Sequence, residues 1–104
     1  SILLGPKERL RSLRFAEGKI MRIKLRGRWW RLVREKLPTG IDGLCDPNNR
    51  TLTIRPRLSG ERELDVAIHE MLHACHDDLA EEAVTETASD IARCLWRLGY
   101  RKTS

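Results

Sequence analysis

The sequence predicts a small α+β domain: a twisted antiparallel β-sheet packed against one helix and a second, C-terminal helix that carries a glutamate. Three observations carry that expectation. Apolar and basic residues alternate along residues 19–25 with the period of a half-buried strand. After Pro56 and Gly60 the period becomes helical and stays so nearly to Gly99. The chain has 104 residues, 40% hydrophobic and 34% charged, enough for one modest core and no second one. Residues 1–104 are therefore read as a single domain.

Each element follows from its own pattern. Leu10, Leu13 and Phe15 stand at loosely helical spacing, and residues 1–18 are expected to form a flexible or latent N-terminal segment. In the first strand Met21, Ile23 and Leu25 share one face, and Arg22 and Lys24 share the other. Arg26-Gly27-Arg28 turns the chain, and residues 29–35, rich in Trp and Val, return to make a hairpin. Leu37-Pro38-Thr39-Gly40 breaks the pattern. Gly43-Leu44-Cys45-Asp46 is then a short extended piece, Pro47-Asn48-Asn49 a turn, and Thr51-Leu52-Thr53-Ile54 a further strand. A helix is predicted over residues 62–76, where Leu64, Ile68, Met71, Leu72 and Cys75 lie close together. Asp77-Asp78 interrupts it. A second helix is predicted over residues 80–98, with Val84, Ala88, Ile91, Leu95 and Leu98 as its buried stripe and Gly99 as its stop.

Composition removes several function classes. No apolar run approaches the roughly 20 residues a bilayer requires, so no membrane partner is expected. The opening residues lack the pattern of a secretory signal, and a cytoplasmic location is expected. Cys45, Cys75 and Cys94 are odd in number and form no Cys-x-x-Cys pair, which suits reduced, mostly buried thiols. Charge is unevenly divided: residues 1–57 hold 15 Lys+Arg and 5 Asp+Glu, whereas residues 58–104 hold 5 and 10. In the basic half Arg22, Lys24, Arg26, Arg28, Arg31 and Arg34 are interleaved with Trp29 and Trp30. Two readings are open, a nucleic-acid partner gripped through phosphates and stacking, or a solvated sheet face that offsets the acidic half.

The chemistry concentrates in His69-Glu70-Met71-Leu72-His73, an H-E-x-x-H sequence inside the first predicted helix. Residues four apart on a helix are neighbours, so His69 and His73 can converge on one metal ion while Glu70 reaches a water beside it. Zinc, one ion per chain, suits nitrogen ligands and this role. It lowers the pKa of water and polarises a carbonyl, with Glu70 as general base and acid. The alternative is two histidines on a solvated face with Glu70 as their charge partner. A catalytic zinc usually takes a third protein ligand. His76 lies too far along a continuous helix to provide it. Glu81, Glu82 and Glu86 on the second helix remain candidates, and Asp90, four residues past Glu86, would suit orienting a ligand histidine.

Over roughly residues 43–100 the chain resembles the gluzincin metallopeptidases, in which an H-E-x-x-H helix is followed by a glutamate on a second helix. It looks most like the very small minigluzincins and phage-type zinc-peptidase-like proteins. The residues that carry the likeness are Gly43-Leu44-Cys45-Asp46, Thr51-Leu52-Thr53-Ile54, the stretch from Glu63 through Cys75, Glu81-Glu82-Ala83-Val84 and Asp90-Ile91-Ala92-Arg93. The resemblance implies a zinc metalloendopeptidase, a hydrolase acting on a protein or peptide substrate, with His69 and His73 as ligands and Glu70 as base. It implies two third ligands: Thr85-Glu86-Thr87-Ala88-Ser89-Asp90 is similar to the thermolysin-like stretch, and Glu81-Glu82-x-Val84 to the smaller relatives. Glu82 is favoured because the turn between the helices is brief, with Glu86 and Glu81 as alternates. The strand beside the active-site helix, Thr51–Ile54, would hold an extended substrate by strand addition. The chain departs from larger relatives in having Tyr100 as its one tyrosine and His76 as its one further histidine. This implies an open site of latent or weak activity. The rival function is a basic nucleic-acid-binding or DNA-associated protein with a structural, inactive zinc site.

Overall fold

The computed structural model describes residues 20–102, and the N-terminal segment expected over residues 1–18 lies outside them. The α+β class is as the sequence predicts. Strands β1 (Met21–Leu25), β2 (Arg28–Arg34), β3 (Gly43–Asp46) and β4 (Thr51–Ile54) precede helices α1 (Gly60–Cys75) and α2 (Glu81–Leu98). Arg26 and Gly27 both take positive φ, 49° and 81°, and this two-residue turn matches the right-handed twist of the β1–β2 hairpin. Asp46 closes the β3–β4 hairpin, its buried carboxylate accepting the backbone N–H groups of Asn48 and Asn49.

The sheet order is β1-β2-β4-β3, and it is mixed. β1 and β2 pair antiparallel, as do β3 and β4, but β2 and β4 run parallel with Leu32 opposite Leu52. The expectation of an antiparallel sheet therefore holds for two of the three pairings. The parallel contact arises because β3 occupies the edge and turns back to insert β4 beside β2. All four residues of β4 are buried, as a strand paired on both sides requires.

Helix α1 starts two residues before the predicted boundary because Ser59 caps it, its hydroxyl accepting the Arg62 backbone N–H at 3.4 Å. Val66 joins Trp30, Leu32, Leu52 and Ile54 in the core, with Ala67, Met71 and Ala74 packed against it. The other side of α1 carries α2, which ends at Gly99 with φ 102°, as predicted. The stripe that α2 buries is narrower than expected. Val84, Ala88 and Ala92 are fully covered, whereas Ile91 and Leu98 are 40% and 68% exposed. Small side chains at i, i+4 and i+8 let the helix axes approach, and that turns the larger residues outward.

Polar ties fix α1 to the sheet and to the loop that follows β2. Arg34 of β2 makes paired hydrogen bonds to Glu63 of α1 at 2.8 and 3.2 Å. Arg55 donates to the carbonyls of Leu37, Pro38 and Ile41 and to Asp42, pinning the loop over residues 37–42. Arg62 of α1 grips the other oxygen of Asp42 at 3.0 Å.

Two outcomes are expected. In urea titrations Ala88→Leu loses about 1–3 kcal/mol through overpacking, whereas Ile91→Ala stays within about 0.5 kcal/mol of wild type. The Arg34 guanidinium holds the Glu63 carboxyl below its ordinary range. The pair therefore stabilises the fold at neutral pH, and that contribution is lost as pH falls through the lowered value. Denaturation midpoints measured from pH 7 down to pH 3 should fall less steeply in Glu63→Gln than in wild type.

Candidate metal centre

Helix α1 presents Asp65, His69 and His73 in one row toward α2, at the spacing of successive turns. Ser89 of α2 donates to Asp65 at 2.9 Å and sets the two helices in register. Nearer the interhelical turn, Glu81 meets both imidazoles. Its Oε1 lies 2.9 Å from His69 Nε2 and its Oε2 lies 3.0 Å from His73 Nε2. The two Nε2 atoms face each other at 3.2 Å, with the rings edge-on at 63°. Among the described residues, His69, His73 and Glu81 are the group whose donor atoms, all within 4.8 Å of one another, could hold a metal ion.

The donor set fits zinc. Bonds of about 2.0–2.1 Å at tetrahedral angles separate ligands by about 3.3 Å, close to the spacings seen here.

The carboxylate facing the imidazoles is thus Glu81, and not the favoured Glu82. Helix α2 begins at Glu81, immediately after Ala80, and one further residue rotates the side chain by about 100° about the axis. Glu82 and Glu86 are exposed and outside the cluster. Asp90 pairs with Arg93 and orients no histidine. His76 caps the end of α1, its backbone N–H donating to the Leu72 carbonyl, and takes no part.

Glu70 lies one step round the helix from His69 and is only 8% exposed. Burial raises its pKa, the nearby Glu81 raises it further, and His69 acts in the opposite sense. The carboxylate rests against β3 at Gly43, where an added Cβ would lie 2.7 Å from Glu70 Oε2 and 2.7 Å from Val66 Cγ1. Only glycine allows this approach. An open cleft of about 550 Å³ runs past Gly43, Cys45, Arg62, His69, Glu70 and Glu81.

The strand that borders the cleft is β3, not Thr51–Ile54. β4 is paired on both sides and has no free edge, whereas among the described residues β3 ends the sheet. The Asp42 carbonyl accepts the Arg55 N–H at 2.8 Å, so by antiparallel alternation Leu44 and Asp46 also turn their backbone groups toward β4. The N–H and C=O groups of Gly43 and Cys45 are left facing outward beside Glu70. Gly43 is the residue that the sequence reading passed over, standing only as the first position of Gly-Leu-Cys-Asp.

Comparison with protein-family models, curated proteins and solved structures finds no match to this chain. Among the described residues, no helix is long and apolar enough to cross a membrane.

The thiols are unpaired but not uniformly buried: Cys45 and Cys75 are half-buried and Cys94 is exposed. Burial, with Glu70 and Asp46 nearby, pushes the Cys45 pKa up to about 12. Because the thiolate is the reactive form, iodoacetamide at pH 8 should alkylate Cys94 well before Cys45, as followed by peptide mass spectrometry.

Proposed function

We propose that the chain is a zinc-dependent metallopeptidase that cleaves an extended protein or peptide substrate. The observation that supports this most is the convergence of His69, His73 and Glu81 beside a buried Glu70 in a cleft bordered by β3, the edge strand of the sheet among the described residues. Bound there, zinc supplies Lewis-acid polarisation of the scissile carbonyl and an acidified water.

The protein's own residues do the rest. Glu70 is held in an apolar setting that favours proton uptake, takes a proton from the attacking water and returns it to the departing amine. Gly43 and Cys45 offer outward N–H and C=O groups that pair with an extended backbone, aligning one peptide bond over Glu70. This moves the substrate strand from the expected Thr51–Ile54 to β3. An odd set of unpaired cysteines suits a reducing compartment, and the cytoplasm is the location that fits this reading.

The test is elemental analysis of the purified chain beside its variants, followed by hydrolysis of fluorescein-labelled casein. Wild type should carry one zinc that His73→Ala and Glu81→Gln lose and Glu82→Gln keeps. Glu70→Gln should keep zinc and lose about 10²–10⁴-fold of the hydrolysis rate. Equal metal content in wild type and His73→Ala overturns the site, and hydrolysis unchanged in Glu70→Gln overturns the activity.

A further inference from the structure

The register of the β1–β2 hairpin puts Arg22 opposite Arg31 and Lys24 opposite Trp29, so these four side chains share the sheet face turned away from α1. Ile23, Trp30 and Leu32 point the other way, into or against the core. On the shared face Trp29 is 51% exposed, and Arg22 and Lys24 lie over its ring at 5.1 and 5.6 Å. The buried Val33 marks the limit of this surface along β2.

The face is solvated, and among the described residues the acidic half makes no close ion pair with these cations. Among the described residues every arginine ion pair is made by Arg34, Arg55, Arg62 or Arg93. Among the described residues, none of Arg22, Lys24 and Arg31 makes an ion pair within 4.0 Å. Arg31 donates to the Asn49 carbonyl at 3.5 Å. Directly opposed like charges destabilise a strand pair, and a large indole left in water forgoes its burial energy. A polyanion with exposed aromatic rings removes both costs at once.

We propose that the outer face of the β1–β2 hairpin binds single-stranded nucleic acid, with Arg22, Lys24 and Arg31 on phosphates and Trp29 stacking on a base. A single strand is specified because duplex bases are stacked on one another and offer no free face to an indole, whereas unpaired bases do. The surface is separate from the His69–His73–Glu81 cluster and does not depend on the peptidase reading.

The test is fluorescence anisotropy of a labelled oligodeoxythymidylate of about 20 nucleotides with the full chain, across a salt series. Binding should weaken steeply with salt, with a slope of about 0.7 per phosphate contact. Trp29→Ala should lose about tenfold in affinity, the usual scale for one stacked base, with the salt slope kept. The pair Arg22→Ala with Arg31→Ala should lower the slope by about 1.4. A charge-matched pair, Lys36→Ala with Arg97→Ala, should bind as wild type does. Because Trp29 is exposed, its variant should keep the wild-type circular dichroism spectrum, and that measurement separates lost binding from lost folding. Absence of binding at low salt, equal loss in the charge-matched pair, tighter binding of a duplex, or equal binding of polyglutamate would each overturn the proposal.

Discussion

Helix α1 is covered on two sides, and the rest of the molecule is arranged around that constraint. Toward the sheet it presents Val66, Ala67, Met71 and Ala74, and toward α2 it presents Asp65, His69 and His73. One side is apolar because it lies against Leu52 and Ile54. The other tolerates polar groups because α2 supplies a partner for each of them, Ser89 for Asp65 and Glu81 for the two imidazoles. Glu70 falls between the two sides, and its burial follows from Gly43, whose missing side chain lets α1 close against the edge of the sheet. Asp65, His69 and His73 are partly buried and each meets a partner on α2, so the packing of the two helices also sets the geometry of the cluster.

Electrostatics divide the molecule along the same lines. Arg34, Arg55 and Arg62 are committed to carboxylates that fasten the sheet and the loop over residues 37–42 to α1. Arg26, at the hairpin tip, is spent on the Cys75 carbonyl at the C-terminal end of α1. Arg22, Lys24 and Arg31 are not committed in this way. Among the described residues, Arg26, Arg34, Arg55 and Arg62 thus hold the fold together, whereas Arg22, Lys24 and Arg31 share one exposed face.

Much of this was legible in the chain. The four strands, both helices, the Gly99 stop and the His69/Glu70/His73 row are written in local period and spacing. Strand order was not, because Thr51-Leu52-Thr53-Ile54 alternates as an edge strand does, although its threonines are buried in the middle of the sheet. The third member of the cluster turned on a single residue of helix phase. Glu81 and Glu82 have the same chemistry, and only the position of the first helical residue decides which faces α1. The expected stripe on α2 favoured large side chains at 91 and 98, whereas close packing against a neighbouring helix selects alanine at 88 and 92.

The parallel β2–β4 pairing bears on how the chain reaches this state. Hairpins such as β1–β2 and β3–β4 close over a few residues, but Arg31 and Thr51 are separated by roughly 20, so the central seam forms only after a much larger loop is closed. Arg55 gathers the carbonyls of Leu37, Pro38 and Ile41 and shortens the free length of that loop. The two hairpins thus supply the local contacts of the sheet, and the non-local pairing of Leu32 with Leu52 is the seam on which the groove beside Gly43 and the seat for α1 both rest.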